Sequence, residues 1–247
     1  MARVLIPVPD RGFDLTEVAV PWYLLSSDGH EVVFCTENGY GPPSADPVLI
    51  AGAVPKPLRA RAQAQAFYRE LEHHRAFHTP ESWRDIEPAD FDGLVLPGGH
   101  APETRQYLES TRLQEHIARF FELDRPVGAI CHGVLVAARS RDRSTGRSVL
   151  YDRTTTCLCK YQERGGYLMT SWKLGRYYRT YPEYVEDLVK AELRHPEQFK
   201  RGPRTLTARD GETDSTPAHV VVDGNYVSAR WPGDAYTFTR KFEALLH

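Results

Sequence analysis

Residues 126–138, PVGAICHGVLVAA, carry the reading on which the fold turns. The short apolar run Val127, Gly128, Ala129, Ile130 reads as a buried strand, and Val134 onward reads as the start of a helix. Between them stand Cys131 and His132, with the small residues Ala129 and Gly133 to either side. A nucleophile on a tight strand-to-helix turn needs small neighbours, because the backbone there is strained and closely approached. The turn lifts the side chain into a cleft at a helix N-terminus, whose unpaired N–H groups favour a thiolate. The stretch therefore reads as a nucleophile elbow with cysteine in place of serine. The competing reading is an inert core cysteine beside a histidine that caps the helix.

Outward from the elbow, the 247-residue chain fits one large α/β domain or two small ones. A formal charge of −2 supplies no basic field for nucleic acid or an anionic membrane. No apolar run is long enough to span a bilayer, and MARVLIPVPD reads as strand and turn rather than signal peptide. Cys35, Cys131, Cys157 and Cys159 are too few and too irregular for a disulfide scaffold, so a reducing, cytoplasmic setting is expected. Cys157 and Cys159 lack a second ligand cluster, and the alternation in TTTCLCKY fits a strand packing both thiols on one face. No metal and no cofactor are expected.

Taken in order, 3–8 reads as the first strand and 15–27 as a helix capped by Asp14. That helix carries Glu17 just beyond the strand end, where ligand-facing groups gather in an α/β sheet; a first-turn glutamate also suits the helix dipole. Residues 31–35 form the second strand of a parallel unit, 37–54 a loop or small hairpin, and 60–75 a solvated helix. Strand 93–96 runs into PGGHAPE, where Gly98 and Gly99 let backbone N–H groups approach a ligand, and a helix follows over 103–123. Strands are expected at 148–151 and in TTTCLC, a helix at 182–193, a hairpin of 218–222 with 226–229 around DGN, and a closing helix at 235–246. Tyr161 to Tyr184 interleaves seven tyrosine and tryptophan residues, Trp172 among them, with Arg164, Lys173, Arg176 and Arg179. With the acidic balance against nucleic acid, this segment reads as a lid, wall or subunit contact. We read one domain over 1–247, with additions near 37–83 and 160–205.

With these pieces in place, the chain resembles the ThiJ/PfpI superfamily, close to its intracellular-protease-I branch. The resemblance rests on EVAVPWYLLSSDGHEV with Glu17 four residues before a proline, LVLPGGHAPE, the elbow AICHG, and VSARWPGDA. It implies a three-layer, flavodoxin-like, mostly parallel sheet of the class I glutamine amidotransferase type. It further implies Cys131 as nucleophile, His132 as its base, Glu17 hydrogen-bonded to the thiol, and Glu103 orienting the histidine from a neighbouring subunit. The N–H groups of Gly99 and His132 would form an oxyanion hole, with Gly98, His100, Trp172 and Arg176 near the substrate. An obligate homodimer or larger assembly follows if Glu103 acts across an interface. Two departures, His100 in place of the branch's usual arginine and the aromatic insertion, put peptidase activity in doubt.

The expected activity is cofactor-independent hydrolysis or lysis of a small carbonyl- or nitrile-like electrophile, with Cys131 attacking and His132 and Glu17 moving protons. Glu17, buried against the thiol, should be pushed towards its protonated form. The alternative is a redox sensor or holdase with an oxidisable Cys131. Glutamine amidotransfer needs a distant His-x-Glu; His195-Pro196-Glu197 has that form, but the proline reads as a helix stop.

Overall fold

In the computed structural model, which describes residues 1–50 and 54–246, strand β1 (Arg3–Pro7) leads through helix α1 (Leu15–Ser27) to strand β2 (Glu31–Thr36). Helix α2 (Ala62–Leu71) and the edge strand β3 (Glu81–Ser82) follow, then β4 (Gly93–Leu96), α3 (Thr111–Glu122) and β5 (Val127–Ile130). The rest comprises α4 (Gly133–Arg139), α5 (Lys160–Leu174), α6 (Val185–Ala191), β6 (Val220–Asp223), β7 (Tyr226–Ala229) and α7 (Ala235–Glu243). These seven strands form one sheet in the order β3-β2-β1-β4-β5-β7-β6, parallel except for the β6–β7 hairpin. The fold is the α/β, mostly parallel, flavodoxin-like architecture that the motifs imply.

The chain runs leftward from β1 to β3 and then resumes on the other side of β1 with β4. Right-handed crossovers in opposite directions put their helices on opposite faces. Accordingly α1 packs with α2 and α7, while α4 packs with α3 and α6. The reversal opens a crevice at the carboxyl ends of β1 and β4, the place where such sheets bind ligands. Strands β1, β4 and β5 are apolar and almost wholly buried, as strands covered on both faces must be.

Local chemistry explains where the elements differ from expectation. The helix expected over 103–123 is broken, because Ser110 accepts from the Leu113 amide at 3.2 Å and starts α3 afresh. In the 37–54 region, Ser44–Ala45 pairs in parallel with Arg11–Phe13 instead of folding back as a hairpin; residues 51–53 lie outside the described residues. Neither 148–151 nor TTTCLC is a strand. Both edges of β7 are taken by β5 and β6, so Thr156 crosses the sheet and donates its amide to the Ser228 hydroxyl at 3.0 Å. Cys157 and Cys159 are buried there, each thiol pointing at a backbone carbonyl. Among the described residues no helix is long and apolar enough to cross a membrane.

One buried ion pair ties the far end of the sheet together. Arg230 and Asp234 are wholly buried and meet at 2.8 Å. The guanidinium also donates to the carbonyls of Pro203 and Pro217, and the carboxylate accepts the amides of His219 and Arg230. With every polar atom partnered, the pair is tolerated; removing one member strands the other charge, at a cost of about 3–5 kcal/mol. Asp234→Ala should therefore lower the unfolding free energy by about that amount, read from urea titrations. A loss below about 1 kcal/mol would show the pair to be solvated.

Candidate active site

The elbow is built from strained backbone and absent side chains. Cys131 has φ 58°, a left-handed conformation that costs a non-glycine residue about 1–2 kcal/mol. Its amide donates to Ala229 O at 3.1 Å, holding the turn to β7. A Cβ on Gly133 would stand 2.0 Å from Leu96 O, so only glycine lets α4 start against the end of β4. Opposite, a Cβ on Gly98 would stand 2.6 Å from the His132 nitrogen and 3.0 Å from Glu17 Oε2. The loop after β4, the first turn of α1 and the elbow thus meet at backbone contact.

Glu17, Cys131 and His132 are brought together there, all at most 1% exposed. Glu17 Oε2 accepts the Gly98 amide at 2.7 Å, and the carboxyl lies against the Cys131 thiol. Burial, reinforced by Asp14, drives the Glu17 pKa well up, towards the protonated form. His132 Nδ1 is 3.5 Å from Cys131 Sγ. The thiolate expected from the helix terminus is not the resting form. Burial, with Glu17 and Asp14 adding to it, pushes the Cys131 thiol well up; the His132 amide pulls the other way and is outweighed. Burial likewise drives His132 well down, so the resting pair is thiol and neutral imidazole. A proton shared between them can still generate the nucleophile when a substrate is present.

The remaining candidates divide. Gly98 borders the cluster, whereas a Cβ on Gly99 would meet Gly12 O and Thr104 instead; His100 packs its ring 4.7 Å from His132 and 4.6 Å from Tyr178, with burial lowering its pKa to about 4. One donor atom each from His100, Cys131 and His132 lie within 4.8 Å of one another, a set that suits a soft divalent ion. Glu103 is exposed and makes no hydrogen bond to His132 within the chain; the imidazole Nε2 instead meets Thr180 Oγ1 at 3.2 Å. Trp172, 82% exposed, and Arg176 sit on the outside of the aromatic segment, away from the site, because α5 turns that face to solvent. His195 and Glu197 are exposed on a one-turn helix held by Gln198, whereas Cys131 is buried, so the amidotransferase dyad is not formed.

Sequence reasoning overlooked Thr180 and Arg209, whereas Tyr178 belongs to the aromatic segment read as a lid or wall. The stretch 177–181, reached from α5 after Gly175 with φ 57°, lies across the elbow. Tyr177 donates to Asp46 at 2.8 Å, Arg105 Nε to Thr180 O at 2.9 Å, and Arg139 to the Tyr181 hydroxyl at 2.9 Å. Beside it a pocket is lined by Asp14, His100, Met169, Tyr178, Arg209 and Trp231, with the Arg209 guanidinium 4.7 Å over the Trp231 ring. Nothing in RYYRTY marks its threonine as different from any other.

The comparisons agree with this architecture. A family described as ThiJ/PfpI family-like matches residues 8–203, and the chain belongs to it. A deglycase of Pyrococcus abyssi is 27% identical over 247 residues, covering 99% of each chain. Deglycase PfpI of Pyrococcus furiosus is 26% identical, covering 95% of this chain and 93% of that protein. The crystal structure of glyoxalase III from Candida albicans matches with TM-score 0.73 at 16% identity, over 100% of this chain and 98% of the other. At that identity the likeness establishes the fold.

The raised pKa of Glu17 has a consequence for stability. Its pKa in the fold is raised above the ordinary 4.5, so above that pH the unfolded chain loses a proton that the native state keeps. Its contribution is full below pH 4.5 and is lost as pH rises towards the folded value. Glu17→Gln, which mimics the protonated acid, should therefore gain on the parent as pH rises. Urea unfolding at pH 5 and pH 8 (about the span of interest) reads this; a gap that stays constant or shrinks would mean Glu17 is ionised in the fold.

Proposed function

We propose that the protein is a cysteine-dependent hydrolase or lyase of deglycase or glyoxalase type, acting on a small carbonyl compound. The observation that carries this reading is the contact of thiol, imidazole and carboxyl on a left-handed elbow. The Cys131 proton passes to His132 Nδ1, and the sulfur adds to the carbonyl carbon as the π electrons move onto oxygen. The amides of Gly99 and His132 are the donors for that oxyanion, and Glu17 supplies the proton that neutralises it. Glu17, now a carboxylate, carries the proton of the attacked carbon to the neighbouring carbon of a dicarbonyl while the adduct's hydroxyl proton shifts to the neighbouring oxygen, leaving a 2-hydroxyacyl thioester. Water cleaves that thioester to the 2-hydroxy acid, His132 returning its proton to the departing sulfur and the acid's proton restoring Glu17. The names of the two Pyrococcus deglycases and of the Candida glyoxalase support a carbonyl substrate.

The pocket walls favour a small molecule over a peptide. Cys131 is 1% exposed, Thr180 of the 177–181 stretch contacts His132, and the neighbouring pocket, which His100 lines, is walled by Tyr178, Trp231 and Arg209.

Methylglyoxal, given free and as its adducts with N-acetylcysteine and N-acetyllysine, tests the proposal, with the 2-hydroxy acid product measured. The wild-type chain should turn over at least one of the three, and Cys131→Ala should lose more than about 100-fold in kcat/KM. Full turnover by Cys131→Ala would sink the reading.

A further inference from the structure

We infer that Thr180 is the positioning residue of the thiol–imidazole pair, doing within one chain what a carboxylate commonly does for a catalytic histidine. The inference rests on the proposed role of His132 as the base. It follows from counting protons at one hydroxyl. Thr180 Oγ1 lies 3.3 Å from His100 O and 3.2 Å from His132 Nε2. A carbonyl oxygen only accepts, so the single hydroxyl proton goes to His100 O. The hydroxyl must then accept from His132, which places the imidazole proton on Nε2. That leaves Nδ1 unprotonated, and Nδ1 is the nitrogen 3.5 Å from Cys131 Sγ. The network therefore holds His132 in the tautomer able to take the thiol proton. The opposite tautomer would set an N–H against the S–H and leave His100 O without this donor.

The surroundings keep the threonine where the argument needs it. Thr180 is 3% exposed, its own carbonyl accepts from Arg105, and its neighbour Tyr181 is bonded to Arg139 and to Glu109. Because the partner is a neutral hydroxyl, it orients the ring and fixes the tautomer but supplies no counter-charge. Proton transfer turns Cys131–H and neutral His132 into thiolate and imidazolium, with the Nε2–H still donating to Thr180. The imidazole nitrogen that Glu103 of another subunit would orient is thus already occupied from within the chain.

The test reads the tautomer directly and needs no substrate, so it is decided separately from whether Cys131 turns one over. Nitrogen-15 chemical shifts of His132 in the full chain should show a protonated Nε2 and a bare Nδ1. Thr180→Ser, which keeps the hydroxyl, should preserve that pattern. Thr180→Val should lose it and slow iodoacetamide alkylation of Cys131, followed by peptide mass, by about tenfold or more. Wild-type His132 protonated on Nδ1 overturns the proposal, as does a folded Thr180→Val with unchanged shifts and alkylation. A tautomer that moves with Glu103→Gln but not with Thr180→Val also overturns it. Should Thr180→Val fail to fold, the shifts of the wild-type and Thr180→Ser chains decide alone.

Discussion

The left-handed backbone at Cys131 is the constraint on which the site depends. With φ negative at this residue, β5 would continue past the sheet edge and α4 could not turn back under the loop that follows β4. The strain, about 1–2 kcal/mol, is held by the Cys131 amide bond to β7 and by the closeness that Gly133 and Gly98 permit. Backbone contact between three segments is what brings Glu17, Cys131 and His132 within reach of one another. A substitution at Gly133 would act on all three side chains through the backbone of β4, and one at Gly98 would also press directly on Glu17.

Burial then sets the resting charge of the cluster. A helix N-terminus favours a thiolate by about 0.3–1 kcal/mol, and by up to about 2 when partly buried. Ionising a thiol with a carboxyl beside it and no solvent costs several kcal/mol, so desolvation wins. Burial accordingly disfavours charge on all three groups, pushing Cys131 and Glu17 up and His132 down. Such a cluster moves protons among its own members, and charge develops only when a substrate oxygen is there to share it. Asp14 takes part in two ways, capping α1 and raising both Glu17 and Cys131.

The stretch from 177 to 181 closes the site on the side of the imidazole. It covers the elbow, holds the far side of the imidazole and packs the Tyr178 ring at a tilt against His100. Its anchors come from several elements: Asp46 before a one-turn helix, Arg105 after the glycine loop, and Arg139 at the end of α4. The outer side of α5, with Trp172 and Leu168 exposed, takes no part.

Period and turn chemistry made much of the fold legible in the sequence. Short apolar runs bounded by Gly, Pro and Asp located β1, β2, β4 and β5, and the DGN turn located the β6–β7 hairpin. Asp14 as a cap and Cys131 between small residues were likewise readable, because each is a local requirement of backbone geometry. The strands expected at 148–151 and in TTTCLC failed because nothing in their own residues says that both edges of β7 are occupied. Thr180, Arg209 and the ionisation of Cys131 belong to the same kind. A hydroxyl reaching a histidine 48 positions away, and a thiol losing its solvent, are produced by long-range packing. The sequence by itself determined the sheet, the elbow and the small residues that permit it; tertiary structure decided which side chains meet there and with what charge. The reason is that backbone strain is local, whereas desolvation depends on everything that folds over the atom.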